Sequence, residues 1–414
     1  MSDFSYDNGN LNIADHDSYT KGVPHNSFAK LRAEDPVHWT TPVDGMKSFW
    51  SLTRHSDIKF ANSRPDIFSS AQGIRIEDQS HEEYLARRTF QETDPPEHHV
   101  TRKMLNPAFS RPAIAQYETM IRDLAHKIID EALVKTEFDA VEGIAKQLPM
   151  MMLGRILGLP DSDLEWLVEK GDALIGNTDP DFTDHVVDKM DSDAYRFMPF
   201  RSPAGVELYD YAQSVFTGTK TVDGAGVLSR VISAENGLDL AEFKNFFCLL
   251  VAAGNDTTRY SIAMAIYLLT QHPHLLAQLQ SGSVDKTAAD ECIRLASPTM
   301  HFRRTATVDT ELGGKKIAKG DKVVLWFVSG NRDESVFDTP HLPLFDRSPN
   351  HNVAFGQGGP HFCLGMWLAR LEVSVVLQVL AARLSHITAL APPRWTRSNF
   401  ICGVKELQVG VQVR

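Results

Sequence analysis

The fold of this chain is indicated by one stretch of its sequence, Phe355-Gly356-Gln357-Gly358-Gly359-Pro360-His361-Phe362-Cys363-Leu364-Gly365. Glycines and a proline precede a single cysteine, and an apolar helical run, Met366–Leu384, follows it directly. The pattern predicts a cysteine on a rigid loop at a helix N-terminus, where backbone N–H groups and the helix dipole favour a thiolate. Such a thiolate can ligate a metal, and a haem iron is the leading candidate. On spacing alone, a buried structural thiol is an equal alternative.

The composition is that of a globular protein, with 414 residues of which 43% are hydrophobic and 23% charged. A net charge of −11 argues against general nucleic-acid binding. The four cysteines lie far apart without zinc-type spacing, so we predict no disulfide framework and a reducing compartment, the cytoplasm. The polar N-terminus has no apolar leader, and no apolar run is long enough to predict a membrane span.

Hydrophobic periodicity predicts a mainly α fold with small β-sheets, in a single domain of residues 1–414 with an irregular lead-in of about residues 1–24. The predicted helices include Ser27–Ala33, Ser56–Asn62, Pro112–Leu133, Val141–Leu157, Ser162–Ile175, Pro203–Thr217 and Lys286–Ala296. The predicted strands include Val37–Trp39, Ser48–Thr53, Phe138–Ala140, Pro298–Thr310 and Lys322–Val328. The stretch Phe68–Thr93 lacks periodicity and is predicted to be a functional or mobile loop.

The longest helical pattern, Asp239–Gln271, contains Ala252-Ala253-Gly254-Asn255-Asp256-Thr257-Thr258. Glycine, asparagine, aspartate and threonine are poor formers of helix interiors, so their clustering predicts a local distortion. A long helix weakened at one point is a good place for a ligand. The alternative is a kink whose threonine hydroxyls are satisfied within the helix.

Several motifs, in this order along the chain, resemble the cytochrome P450 family of haem-thiolate monooxygenases. They are Asp94-Pro95-Pro96-Glu97-His98, Ala253-Gly254-Asn255-Asp256-Thr257, Glu291-Cys292-Ile293-Arg294, Phe302-Arg303-Arg304-Thr305-Ala306-Thr307 and the cysteine loop. The resemblance implies a long central helix over a haem and a cysteine-ligand loop ahead of a C-terminal helix.

The resemblance also implies roles for residues around the haem. Cys363 would be the thiolate ligand of the iron. The propionates would be held by His98, Arg102, Arg304 and His361, and Phe355, Gly356 and Gly365 would form the loop around the ligand. Arg303 lies beside Arg304, and because neighbours in a strand point to opposite faces, only one of the two can reach the haem.

For oxygen activation, the resemblance implies an acid–alcohol pair, Asp256 and Thr257, on the central helix. Ala253 and Gly254 would leave the helix open for O₂, and the pair would relay protons to it. The alternative for Asp256 is an ion pair with Arg259, three residues further on.

Glu291 and Arg294 would form a structural charge network with an arginine from the following segment. The usual Pro-x-Arg-Phe of the family reads Pro340-His341-Leu342-Pro343 here, so Arg347 is the nearest third partner. The cysteine loop also has one residue more between Phe355 and Cys363 than the commonest bacterial pattern. This length is similar to bacterial members that hydroxylate steroids, methyl-branched lipids, terpenoids or alkanes.

The implied activity is hydroxylation of an unactivated C–H bond in a lipophilic molecule, using haem b, O₂ and electrons from a ferredoxin. A separate ferredoxin reductase would draw those electrons from NAD(P)H, and Lys103 and Arg370 are candidates for the docking face. The expected pocket residues are Ile74, Leu250, Thr299, Met300 and Ile401, of which Met300 and Ile401 are equally explained as core. A haem-thiolate peroxygenase and a haem-dependent ligand-binding protein without turnover are the alternative functions.

Overall fold

The fold is mainly helical, and a computed structural model describes residues 7–43, 45–234 and 237–414 of it. In chain order the helices are α1 (His25–Glu34), α2 (His55–Ser63), α3 (His81–Arg87), α4 (Glu97–Phe109), α5 (Arg111–Ala115), α6 (Glu118–Ala132), α7 (Gln147–Leu157), α8 (Leu164–Ile175), α9 (Pro203–Phe216), α10 (Val227–Ile232), α11 (Leu240–Gln271), α12 (Pro273–Gln280), α13 (Ala288–Ala296), α14 (Phe327–Gly330) and α15 (Met366–Arg383). The first six residues of the predicted lead-in lie outside the described part. The rest of it includes a short 3₁₀ helix, His16–Tyr19, whose Tyr19 is buried.

The strands form small sheets at the edges of the helical body. They are β1 (Val37–Thr40), β2 (Phe49–Leu52), β3 (Phe68–Ser69), β4 (Glu137–Asp139), β5 (His301–Ala306), β6 (Thr310–Leu312), β7 (Lys315–Ile317), β8 (Lys322–Trp326), β9 (Leu384–Ala389), β10 (Arg394–Trp395), β11 (Val404–Glu406) and β12 (Gln408–Val413). One sheet has the order β1-β2-β8-β5-β3, in which only the β2–β8 pair is parallel, and another has the order β4-β12-β9. The predicted class of a mainly α protein with small sheets is confirmed.

The central element is α11, which has 32 residues and packs against α7, α8, α9, α13 and α15. Its start is set by a capping box, in which Asp239 accepts from the N–H of Glu242 and Glu242 accepts from that of Asp239. Its end at Gln271 precedes Pro273, which cannot continue a helix. Within the described ranges, no helix is both long and apolar enough to span a membrane.

Several predicted elements differ from the structure. The helix predicted over Val141–Leu157 is divided into a π-helix, Val141–Ala145, and α7, and the strand predicted over Pro298–Thr310 is divided into β5 and β6. The stretch Phe68–Thr93, predicted as a loop, contains α3, which begins at a capping box between Ser80 and Glu83. That Ser-x-x-Glu signal was present in the sequence. The single helix predicted over Pro112–Leu133 is divided into α5 and α6, because the backbone tightens to i→i−3 hydrogen bonds at Gln116 and Tyr117.

A buried charge network fastens the segment after α14 to α13. Glu291 and Arg294 are fully buried and paired at 2.7 Å, and Arg294 also donates to the carbonyls of Asn331 and Pro340. Arg347 donates to both carboxylate oxygens of Glu291, at 3.1 and 3.2 Å, and Asn350 donates to one of them. The structure therefore places Arg347 beside the Glu291–Arg294 pair. Every charge in this network has a partner.

One buried acid in the core of α15 has no such partner. Glu372 is 1% exposed, and neither carboxyl oxygen has a hydrogen-bond partner among the described residues. Burial raises its pKa to about 8. The folded protein therefore holds this carboxyl in its neutral form at neutral pH.

We expect the free energy of unfolding to fall between about pH 4.5 and pH 8, where the unfolded chain ionises Glu372 and the folded chain does not. The size of this loss is on the order of 5 kcal/mol. Glu372→Gln should remove it, so the variant should be more stable than the wild type at pH 8.5 in urea unfolding experiments. Glu165→Gln, which changes an exposed acid on α8, should keep the wild-type slope. Equal pH slopes in the wild type and Glu372→Gln would contradict the expectation.

Candidate active site

A partly open cavity lies between α11 and the cysteine loop. The predicted residues that line it are His98, Arg102, Leu250, Ala253, Gly254, Thr257, Phe355, Gly356, His361, Cys363, Gly365, Ile74, Thr299 and Ile401. Of the other predicted site residues, Asp256 and Arg304 lie outside the cavity wall. Met300 does not line the cavity either, which corrects the prediction of Met300 as a pocket residue. Thr299 faces the cavity, and because successive side chains of an extended chain alternate, Met300 turns into a core cluster with Val324 and Trp326.

The cysteine loop is closed by hydrogen bonds between its own ends. The N–H of Cys363 donates to the carbonyl of Phe355, and the N–H of Gly356 donates to that of Val353, both at 2.9 Å. Gly356 and Gly358 have φ angles of +67° and +99°, a left-handed backbone that favours glycine. These constraints present the side chain of Cys363 to the cavity.

The last turn of α2 holds the same loop through Asn62. The amide of this buried residue donates to the carbonyl of Gly356 at 2.6 Å, and its side-chain oxygen accepts from Arg304 at 2.9 Å. A Cβ on Gly359 would lie 2.0 Å from the carbonyl oxygen of Asn62, so only glycine fits there. The sequence motifs did not identify Asn62, because its partners lie more than 240 positions away.

Cys363 lines the cavity and is exposed. Burial raises its pKa, while the N–H of Gly365 and the guanidinium of Arg102 act in the opposite direction. The sequence predicts that the loop and the helix favour a thiolate, but in the structure their effect offsets only part of the cost of burial. A metal cation would supply the missing stabilisation of the thiolate.

The α11 helix passes the cavity without a break, so the poor helix formers between Gly254 and Thr258 do not interrupt it. The hydroxyl of Thr257 donates to the carbonyl of Ala253 at 3.0 Å, as the alternative of an internally satisfied hydroxyl predicts. Gly254 has a packing constraint of its own. A Cβ there would lie 2.6 Å from a methyl carbon of Leu153 on α7, another residue of the cavity wall.

Behind Thr257, Asp256 is paired with Arg259 at 2.7 Å, the alternative that the sequence left open. Arg259 is shared, because it also contacts Asp172 of α8 at 2.7 Å, and Asp172 lies 3.5 Å from the partly exposed Lys146. Burial raises the pKa of Asp256 to about 7, with Arg259 opposing and Asp172 reinforcing the shift. Asp172 was not identified from the sequence, since no local pattern links it to residues 84 positions away.

The basic residues that the resemblance assigns to the propionates come together beside the cavity. The rings of His98 and His361 lie 4.3 Å apart, and Arg102 and Arg304 both lower the pKa of these histidines. Burial is the main cause, and it lowers the pKa to about 4 for His98 and about 2 for His361. Arg303 points elsewhere and reaches the carbonyl of Glu77, as strand alternation predicts.

This basic cluster has donors and acceptors that the rest of the described chain does not satisfy. Neither ring nitrogen of the fully buried His98 has a partner there, and the same holds for Nδ1 of His361. The nearby Asp94 accepts hydrogen bonds from Ser69 and Ser70. Unpaired ring nitrogens of two neutral histidines, buried beside the guanidiniums of Arg102 and Arg304, are costly unless an anionic ligand joins them.

Known proteins resemble this chain along nearly its whole length. A family model described as Cytochrome P450 matches residues 286–394. A linalool 8-monooxygenase from Pseudomonas putida is 37% identical over 407 residues, which are 95% of this chain and 97% of that protein. The chain belongs to the cytochrome P450 family. A steroid C26-monooxygenase from Mycolicibacterium smegmatis is 32% identical over 421 residues, covering 99% of this chain and 93% of that one.

A solved structure supports the same family at the level of the fold. A Mycobacterium marinum cytochrome P450 in complex with pseudoionone is 33% identical, with a TM-score of 0.87 and coverage of 99% of this chain and 100% of that chain. As a cytochrome P450 monooxygenase, the protein is an oxidoreductase that uses haem and O₂ and receives electrons from a reductase system.

The residues of the cavity fit a haem. Cys363 offers one sulfur to it, and the basic cluster has unsatisfied nitrogens that match two carboxylates. On one side, the space between the cysteine loop and α11 is bounded by Leu364 of the loop and by Leu368 and Ala369 of α15. On the other side it is bounded by Ala253 and Gly254 of α11. Both the ligand and the countercharges that the group needs are therefore present at one cavity.

We expect His98→Ala and His361→Ala to release haem faster than the wild type, because on the proposed assignment each variant lacks one hydrogen bond to a propionate. A charge-assisted hydrogen bond contributes about 1.5–3 kcal/mol, which corresponds to roughly tenfold or more in affinity. The rate of haem transfer to excess apomyoglobin measures this. His99→Ala, which changes the exposed neighbour of His98, is the matched control and should transfer haem at the wild-type rate. Equal rates for His98→Ala and His99→Ala would refute the assignment.

Proposed function

We propose that this cytochrome P450 hydroxylates an unactivated C–H bond of a lipophilic small molecule of the terpenoid, steroid, branched-lipid or alkyl-chain type. One observation carries the proposal: a single, mainly apolar cavity is bounded both by Cys363 and by the Ala253–Thr257 segment of α11. An apolar wall binds an apolar substrate and excludes water from the reacting centre. The names of the relatives, a linalool 8-monooxygenase and a steroid C26-monooxygenase, support the substrate range.

We propose Cys363 as the iron ligand of haem b and the basic cluster as its propionate site. When bound there, the haem supplies O₂ activation and the oxidation of the C–H bond. The chain contributes the thiolate, the countercharges and a fixed orientation. The N–H groups of Gly365 and Met366, at the start of α15, act on the sulfur and lower the pKa of the thiol, against the effect of burial.

Asp256 is the proposed source of protons for the cavity, and Thr257 is the proposed hydroxyl that delivers them. A carboxyl with a pKa near 7 can hold a proton and give it up at neutral pH. Asp256 must first leave Arg259, and the second carboxylate on that guanidinium, Asp172, can keep it paired meanwhile. Lys146, 22% exposed beside Asp172, marks the route from this network to solvent.

We propose that the electrons come singly from a ferredoxin, which a ferredoxin reductase reduces with NAD(P)H. Lys103 is exposed on α4 one residue after Arg102 and suits an acidic partner. Arg370, the other predicted docking residue, is paired with Asp290 at 2.7 Å and stacks on Phe355 and Trp367, so it is the weaker candidate for contact with the ferredoxin.

The cytoplasm remains the proposed compartment, supported by four unpaired cysteines. A single catalytic domain for 1–414 is supported by the packing around α11.

Reduced–CO difference spectroscopy tests the central assignment. We expect the Soret band of a cysteinate-ligated haem in the wild type and its complete loss in Cys363→Ala. Cys402→Ala removes a buried thiol that does not line the cavity and should keep the band. An unchanged band in Cys363→Ala would contradict the proposal. Turnover with peroxide alone at the same rate as with ferredoxin would favour a peroxygenase.

We expect Thr257→Ala to consume NADH at a near-normal rate but to release peroxide in place of product. Asp256→Asn should slow product formation by about 100-fold, a typical contribution of a positioned acid. In the wild type, product per NADH should decline as the pH rises above 7, since the protonated carboxyl is then depleted, and Asp256→Asn should lose this dependence. Thr270→Ala, at the far end of α11, is the control and should stay coupled. Full coupling in Thr257→Ala would show that protons reach the cavity by another route.

A further inference from the structure

The cavity has a second polar region, formed by the segment that the sequence left as a loop. Arg75 and Arg87 line the cavity there, together with Gln79, Glu92 and Asn245. None of these residues belongs to the basic cluster beside Cys363, which the haem would occupy. We call Arg75 and Arg87 the arginine pair.

Arg75 is held at the wall by aromatic rings. Its guanidinium lies 4.4 Å from the ring centre of Phe200 and 5.9 Å from that of Phe400, both of which also line the cavity. Its contact with an acid is between Nε and Glu77, at 3.4 Å. Its two terminal nitrogens have no hydrogen-bond partner in the described part of the chain, so their donors are available to a ligand.

Only two of the three guanidinium nitrogens of Arg87 have hydrogen-bond partners among the described residues. Its Nη2 donates to Gln79 at 2.7 Å and its Nε to the carbonyl of Glu83 at 3.3 Å. Its Nη1 is buried and has no partner among the residues described. Burial, and after it the nearby charge of Arg75, lowers the pKa of Arg87 to about 10.

The acids nearby do not balance these charges. Glu83 is already paired with Arg201, and Asp78 is paired with Lys322 at 3.0 Å. The arginine pair and Arg303 are thus left with Glu77 and Glu92. Burial also raises the pKa of Glu92, which weakens it as a countercharge. Among the described residues, three guanidiniums thus face two carboxylates, so at least one positive charge stays unbalanced.

We propose that the arginine pair binds the carboxylate of the substrate, so that the substrate class is a lipophilic monocarboxylic acid. This inference rests on the proposed function. The guanidinium fork matches a carboxylate, and the negative charge of the carboxylate offsets the positive charge that the nearby acids leave unbalanced. The apolar body of the acid then fills the mainly apolar remainder of the cavity, between the arginine pair and Thr257.

The test is a spectral-shift titration of the haem-loaded full chain with matched ligands: citronellic acid, its methyl ester and citronellol, and likewise myristic acid and methyl myristate. In the wild type each acid should bind at least about tenfold more tightly than its ester, the size expected of a charge-assisted hydrogen bond. Arg75→Gln and Arg87→Gln should abolish this preference and leave the ester's Kd within about twofold. Arg75→Lys, which keeps the charge, should restore part of it.

The control is Arg64→Gln, which removes an arginine 43% exposed and outside the cavity, and it should keep the preference of the wild type. Equal Kd values for acid and ester in the wild type would overturn the inference. So would an Arg75→Gln variant that binds acid, ester and alcohol more weakly by one common factor, because the arginine would then only support Phe200. The CO-difference band of each variant separates these outcomes from a failure of the haem-thiolate function itself.

Discussion

The attachment of the cysteine loop to α2 and β5 is the constraint on which the active site depends. The side-chain amide of Asn62 donates to the carbonyl of Gly356 in the cysteine loop, and its oxygen accepts from Arg304. One side chain therefore sets the distance between the cysteine loop and the basic cluster. Upstream, Asn331 accepts from the N–H of Val353 at 2.6 Å and thereby ties the loop to the Glu291–Arg294 network. These hydrogen bonds hold the cysteine loop in place before a ligand binds, so binding needs little further ordering of the loop.

Buried charge in this protein is arranged in two ways, and the difference separates structure from function. The Glu291 network is closed, since each carboxylate oxygen and guanidinium in it has a partner. The basic cluster and the arginine pair are open, with buried nitrogens that nothing in the described chain satisfies. A closed network holds its elements in place, whereas an open one is costly until a ligand of opposite charge arrives. The Asp256–Arg259–Asp172 group is intermediate, because its excess carboxylate allows a proton to be shared.

The features that could be predicted from the sequence are those that depend on residues close together in the chain. The cysteine loop, the α11 helix and the Glu291–Arg294 spacing can be found from neighbouring residues and from their order. Met300 was misplaced because pocket membership depends on which way an extended residue faces. Asn62 and Asp172 were missed because their partners are distant in sequence, and packing alone brings them together.

The same distinction explains why the reaction class is easier to derive than the substrate. The cysteine loop and α11 have strong local sequence signals, and they bound the cavity in which we propose that the reaction takes place. Residues 74–92 have weak periodicity, yet they supply much of the cavity wall, including the arginine pair. Their positions depend on contacts made from outside the segment: Arg201 pairs with Glu83, and Phe200 stacks on Arg75. Substrate choice in this enzyme is therefore a property of how two irregular segments meet over a fixed reaction centre.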